Sequence, residues 1–219
     1  MVYINAHTHH IQQHTDEVFE LINIILSKDD LMTARPCSAG IHPWYIEEDL
    51  TDQMAQLAQI ARSPHVLAIG ECGLDKKTET NWELQALAFA QQIDLAKDLN
   101  KPLIVHCVRA FDEVIALLHE RTPAVPVLFH GFNKHPNLGQ SLLRKGYYLS
   151  LGTAVLSGRL DYLIKEIPLH RVLLETDQQK TEIFEIYAYF CRTRKIPMDR
   201  LQAQLMDNFR TVFNYSAVK

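Results

Sequence analysis

The chain has 219 residues, 47% hydrophobic and 22% charged, with a formal net charge of −4. This is the balance of an ordinary globular protein with room for one good core, and it excludes a protein that grips nucleic acid by a strongly basic surface. No apolar run approaches the roughly eighteen residues of a membrane span. The opening "MVYINAHTHH" has neither the basic segment nor the apolar stretch of a secretory signal. The four cysteines form no close pair and read as reduced thiols, so a cytoplasmic protein is expected.

In chain order, short β-like runs fall at 2–5, 18–25, 36–40, 66–70, 103–106, 127–130, 147–151 and 172–175. The stretches "LTDQMAQLAQIAR", "NWELQALAFAQQIDLAKDL", "AFDEVIALLHER", "NLGQSLLRKG" and "RLDYLIKEI" lie between the later runs, with apolar residues at helical spacing. In the second of these, Leu84, Leu87, Ala88, Ile93, Ala96 and Leu99 share a face with Phe89 at its edge, and Asn100 with Pro102 closes the helix. "EIFEIYAYFCRTRK" and "MDRLQAQLMDNFRTVFN" read as two terminal helices separated by Pro197. Strands alternating with helices predict a parallel sheet, and eight strands predict a closed (β/α)8 barrel. "HIQQHTD" and "LSKDDLMTAR" are too short for crossover helices, so the barrel is expected to be trimmed on its N-terminal side, with about six outer helices. No repeat or linker interrupts the chain, which reads as one domain over 1–219.

On this scaffold the polar residues converge. His7 and His9 end the first strand and share a face, since strand side chains alternate. Glu71 follows the fourth strand, His106 ends the fifth, His130 ends the sixth and Asp177 follows the eighth. In a barrel all these ends meet on the rim that carries the active site. Any one of them reads as easily as a buried polar residue or a helix cap; together they read as ligands. Imidazoles with carboxylates suit Zn²⁺, Mn²⁺, Fe²⁺ or Mg²⁺. Six ligands exceed one tetrahedral site and fit two ions about 3.5–4 Å apart. His42, after the third strand, reads as a pocket residue. His10 and His14 fall in the first loop, and His65, His119, His135 and His170 read as turn or surface residues.

The ordered set "AHTHH", "GIHPW", "AIGECGLD", "LIVHC", "FHGF" and "LLETD", with a closing "NFRTVFN", resembles the TatD family of metal-dependent hydrolases, a group of amidohydrolase-like barrels. The resemblance implies His7 and His9 as ligands of a first metal, Glu71 as the carboxylate bridging two metals, and His106 and His130 as ligands of the second. It implies Asp177 as a ligand of the first metal and the residue that takes and returns a proton. It further implies two divalent ions (Zn, Mg or Mn) and hydrolysis of DNA phosphodiesters, commonly 3′→5′ on single strands; a monomer with no membrane partner is expected. Three features depart from the family pattern. Asn5 stands where an aspartate is usual. Val108 replaces an arginine, with Arg109 one residue later. The segment after Asp177, "QQKTEIF", leads almost directly into helix. Asn5, His42 and Arg109 therefore read as substrate-side or ligand-orienting residues, with Lys134 a further phosphate contact and Trp44 and Tyr45 available to stack on a base or pack the rim. Two other readings stand beside phosphodiester cleavage: a metallohydrolase of a small amide, ester or lactone, and a non-catalytic metal-binding barrel.

Overall fold

The computed structural model describes residues 2–11, 16–29 and 34–215; the expectation for His14 lies outside them. Eight strands are present: β1 (Tyr3–Thr8), β2 (Val18–Ile25), β3 (Cys37–Gly40), β4 (Val66–Asp75), β5 (Leu103–Val108), β6 (Val127–Phe129), β7 (Tyr148–Leu151) and β8 (Val172–Leu174). They follow one another in chain order in one sheet, with the paired strands parallel, which is the strand order of the expected (β/α)8 barrel. Among the described residues there are seven α-helices: α1 (Leu50–Ile60), α2 (Trp82–Leu99), α3 (Phe111–Arg121), α4 (Pro136–Arg144), α5 (Asp161–Glu166), α6 (Ile183–Arg194) and α7 (Met198–Phe213). As the spacing predicts, none of the described residues between β1 and β2, or between β2 and β3, is helical. No described helix is long and apolar enough to cross a membrane.

Three strands run further than the apolar pattern suggests, β5 continuing past His106 to Val108. β1 continues through His7 to Thr8, and β4 continues through Glu71 to Asp75. Glu71 thus lies inside β4, not beyond it. All ten β4 residues are buried, and Cys72, Gly73 and Leu74 keep register with Val105, His106 and Cys107 of β5. The glycine and the acid end the apolar run while the hydrogen-bond ladder goes on.

The chain clusters into two compact units, Met1–Ile22 with Leu128–Lys219, and Asn23–Val127. In the first, β1 has neighbours on both edges. Tyr3 pairs with Val18 on one side, and Thr8 pairs with Asp177 on the other. Two helices hold this set from outside. The Tyr187 hydroxyl of α6 donates to Ile4 O (3.1 Å) and accepts from Ile4 N–H (3.0 Å). Asn208 Nδ2 of α7 donates to Leu169 O (2.6 Å) and Val172 O (2.7 Å) at the start of β8. A phenol buried this completely remains a neutral hydrogen-bonding pivot, since burial pushes its pKa up.

In the second unit α2 lies over β4. It is capped by Asn81, whose side chain accepts from Leu84 N–H, and ends at Asn100 in the left-handed conformation. Its buried amides reach into the loops that carry the polar residues. Gln92 Oε1 accepts from Ile41 N–H (2.8 Å), Gln92 Nε2 donates to Ile41 O (3.1 Å), and Gln85 Oε1 accepts from Asp75 N–H (2.9 Å).

Candidate metal centre

The first unit brings four of the expected ligands together. The Asp177 N–H donates to His7 O (3.0 Å) and the His9 N–H donates to Asp177 O (3.2 Å), so the residues after β8 are stitched in register to β1. Asp177 Oδ1 then lies 3.4 Å from His9 Nε2 and 3.7 Å from His7 Nε2. The His130 ring, just past β6, sits 4.4 Å from the His7 ring. One ligand atom each of His7, His130 and Asp177 falls within 4.8 Å of the other two. His7 is buried, and the Asp177 side chain is 38% exposed, the one carboxylate of the group open to a substrate.

Asn5 explains how this arrangement is held. Its Nδ2 donates to Thr176 Oγ1 (2.8 Å) and its Oδ1 accepts from Thr176 N–H (3.0 Å). Thr176 Oγ1 donates onward to Thr8 Oγ1 (3.1 Å). All three residues are buried. An amide both donates and accepts, whereas the aspartate usual in the resemblance only accepts. Asn5 therefore clamps the residue before Asp177 and leaves the Thr176 hydroxyl proton for Thr8, a proton that a carboxylate would take for itself.

The second unit brings together Glu71, His106 and His42. Glu71 Oε1 lies 2.6 Å from His106 Nδ1 and 3.3 Å from His42 Nε2. The approach of β4 to β5 depends on glycine. Gly73 has φ +143°, and a Cβ there would stand 2.0 Å from His106 O. The Glu71 N–H donates to Asn23 Oδ1 (2.9 Å), which also accepts from Ser38 Oγ (2.8 Å).

Hydrogen bonding sorts these histidines by role. Trp44 N–H donates to His42 Nδ1 (3.1 Å), so in the neutral ring Nε2 carries the proton and faces Glu71 as a donor. His42 is thus suited to orient Glu71, in keeping with its reading as a pocket residue. His106 Nε2 lies 3.1 Å from Asp75 Oδ2, which also accepts from Trp44 Nε1–H (2.7 Å). Burial works to raise the Asp75 carboxyl, but hydrogen bonds from His106, the Lys77 N–H and the Trp44 indole, with the charge of His106, outweigh it and bring it down to about 2. With Nε2–H given to this carboxylate, His106 Nδ1 presents its lone pair to Glu71, and two acceptors that close require a cation between them, a proton or a metal ion. His130 repeats the pattern. Its Nδ1 lies 3.3 Å from Glu175 Oε1, which also accepts from Gly131 N–H (2.7 Å), leaving Nε2 as the ligand atom. Both carboxylates are almost completely buried, Asp75 at 1% and Glu175 at 0% exposure. A buried acid behind each histidine is the arrangement by which metal-binding imidazoles are fixed, and the donor set of imidazole and carboxylate fits a divalent ion of the zinc, manganese or magnesium kind.

Asp75 and Glu175 were not among the residues read as functional, although both lie within motifs that carry the resemblance, "GLD" and "ETD". Their partners are 31 and 45 residues away and meet them only through strand register. Arg109 is exposed, with φ +57°, between β5 and α3. Trp44 is 52% exposed while its indole N–H is tied to Asp75. His10, His65, His119, His135 and His170 are all exposed, and His135 caps α4 by accepting from Asn137 N–H (3.2 Å).

Residues 8–214 match the family of TatD related DNases. The 3′-5′ ssDNA/RNA exonuclease TatD of Erwinia billingiae is 35% identical over 157 residues, which make up 67% of this chain and 60% of that relative's length. An uncharacterized metal-dependent hydrolase, YjjV of Escherichia coli, is 27% identical over 194 residues, covering 80% of this chain and 75% of the relative. The crystal structure of E. coli YjjV superposes with a TM-score of 0.80 over 98% of both chains at 23% identity. A TatD family hydrolase from Entamoeba histolytica gives 0.82 over 98% of this chain and 99% of its own, at 15% identity.

Proposed function

Because this chain belongs to the family of TatD related DNases, we propose that it is a metal-dependent hydrolase of phosphodiester bonds, acting 3′→5′ on single-stranded DNA as one catalytic domain over 1–219. The observation that carries this reading is the pair of histidine–carboxylate clusters, each with a buried acid fixing a ligand imidazole. His7, His9, Glu71, His106, His130 and Asp177 would hold two divalent ions (Zn, Mg or Mn). Bound there, such ions supply an activated water and neutralise a phosphoryl oxygen, which is how a chain of net charge −4 can accept a phosphate. Asp177, the exposed carboxylate, orients the attacking water, accepts its proton and returns it towards the leaving oxygen. Asn5 and Thr176 hold Asp177 in place, and His42 holds Glu71. The relatives named as exonucleases of single-stranded DNA and RNA support the substrate class. The free thiols support a reducing compartment, and we place the protein in the cytoplasm as a monomer.

The test is hydrolysis by metal-loaded protein of a 5′-labelled single-stranded oligonucleotide, bis(p-nitrophenyl) phosphate and simple esters, with His7→Ala as control. A shortening ladder from the 3′ end, lost in the variant, is expected. Ester cleavage without phosphodiester cleavage under Mg²⁺, Mn²⁺ and Zn²⁺ would replace this reading with the small-substrate one.

A further inference from the structure

Two clefts adjoin in the first unit, and their chemistry is opposite. The smaller, about 170 Å³, is lined by Asp177, Glu175 and Thr176 and has no cationic side chain. The larger, about 340 Å³, is lined by Asn133, Lys134, Ala154, Ser157, Arg159 and Leu160, with two cations and no carboxylate. Asn133 and Ala154 line both, so the two are continuous. The larger volume lies within the range of about 300–1,000 Å³ typical of small-molecule sites. It has room for a nucleotide unit.

The basic walls are set by the backbone. Lys134 lies in the turn between β6 and α4, directly after the His130–Gly131 corner that Glu175 holds. Arg159 follows Gly158, a glycine at φ +76° that ends the 3₁₀ turn Thr153–Ser157. The Arg159 N–H donates to Ser157 Oγ (3.4 Å), and the neighbouring Leu160 is buried, so the segment is anchored on both sides. Leu156 and Tyr162 bracket it in sequence and are 38% and 58% exposed, apolar surface of the kind a base covers.

We infer that the larger cleft seats the phosphodiester next to the scissile one in a single-stranded nucleic acid, with Arg159 and Lys134 as its phosphate contacts. This rests on the phosphodiesterase reading above. An acidic cleft takes a phosphate only through metal ions; a basic one takes it directly. A chain that carries charge at every step needs both kinds of seat side by side, and this surface provides them.

The test measures binding of a fluorescent thymidine 12-mer with a phosphorothioate backbone to the metal-loaded protein, over a range of salt. The proteins are wild type, Arg159→Ala, Lys134→Ala and the double variant. Hydrolysis of bis(p-nitrophenyl) phosphate, which has no neighbouring phosphate, is followed in parallel. Each lost contact should lower the slope of log affinity against log salt by about 0.7, and weaken binding about fivefold at 0.1 M salt, so about 25-fold for the pair. Hydrolysis of the small substrate by Arg159→Ala should stay within about twofold, with melting temperatures unchanged in all the variants. Oligonucleotide binding that the double variant retains in full, with its salt slope intact, overturns the inference. So does an equal loss on both substrates, which would mark a structural role, or a wild type that does not bind the oligonucleotide. If wild type binds, the variants lose binding, and no phosphodiester is cleaved, the subsite stands and the catalytic reading falls.

Discussion

The Asn5–Thr176 clamp makes a quantitative demand on stability. Asn5→Ala leaves the buried Thr176 N–H without its acceptor and removes the Nδ2–H···Oγ1 bond. An unsatisfied buried donor costs about 1–3 kcal/mol and a lost neutral hydrogen bond about 0.5–1.5, so a loss of about 2–4 kcal/mol is expected. In a chain of this length that lowers the melting temperature by roughly 5–15 °C. Thr176→Val keeps the N–H bond to Asn5 but removes the hydroxyl that links Asn5 to Thr8, and should cost about 1–3 kcal/mol. Both single variants remove the same Asn5–Thr176 side-chain bond. The double variant should therefore fall short of their sum by about 1 kcal/mol. Asn5→Asp, which restores the residue usual in the family, keeps the acceptor for the Thr176 N–H but turns the Thr176 hydroxyl away from Thr8 and buries a charge, so it should destabilise the metal-free protein instead of improving it. The measurement is urea unfolding by circular dichroism in the presence of a chelator, so that metal binding does not add to stability. Additivity of the two variants within about 0.5 kcal/mol, or a cost for Asn5→Ala below that, would refute the clamp.

Three further outcomes follow from the site and the core. Asp75→Asn and Glu175→Gln remove the carboxylates that fix His106 and His130, and should each weaken metal binding about 10–100-fold by calorimetric titration; unchanged affinity would show that these acids do not orient ligands. Asp177→Asn should fold and lose about 10²–10⁴-fold in phosphodiester hydrolysis, and a full rate in the metal-loaded variant would remove Asp177 from the proton-transfer role. Burial pushes the Cys37 thiol up from 9.0 to about 11, against a smaller opposing effect of Lys101. The unfolded chain therefore gives up this proton first, and the stability the neutral thiol confers is complete below pH 9 and lost as pH rises towards 11. Two units correspond to about 3 kcal/mol in total, so unfolding titrations should show Cys37→Ala losing about that much less stability than wild type as pH rises from 9 to 11; equal losses would show that this thiol does not govern it.

What the sequence made legible follows from what kind of signal each feature leaves. The eight strands and the helices between them leave periodic apolar runs, and these placed the start of every strand within one residue. The strand ends did not show, because a polar residue breaks the run without breaking the ladder. Glu71 lies inside β4 for this reason, between Gly70 and the buried Cys72. The candidate ligands were visible because each closes or follows an apolar run, whether the strand ends there or, as at His7, Glu71 and His106, goes on. Asp75 and Glu175 sit in the same motifs but act through partners 31 and 45 residues distant, and only the register of β4 on β5 and the neighbouring order of β6, β7 and β8 bring them there. Asn5 was visible as a departure but not as a device. Its meaning depends on the residue opposite. Against Thr176 the amide makes two bonds and leaves the hydroxyl proton for Thr8, whereas a carboxylate would accept from both the N–H and the hydroxyl and so take that proton away from Thr8. Arg159 is likewise an ordinary surface cation in the sequence, 25 positions from Lys134, which stood out only as a lone phosphate contact. Their proximity is a property of two turns, one leaving β6 and one entering α5, that face the same cleft beside Asp177. Ligand identity is thus written locally, in residue type at strand ends, whereas ligand orientation and substrate seating are written in pairings between distant segments. A substitution at Asn5 or Arg159 should accordingly alter positioning and polymer binding while leaving the set of metal ligands intact.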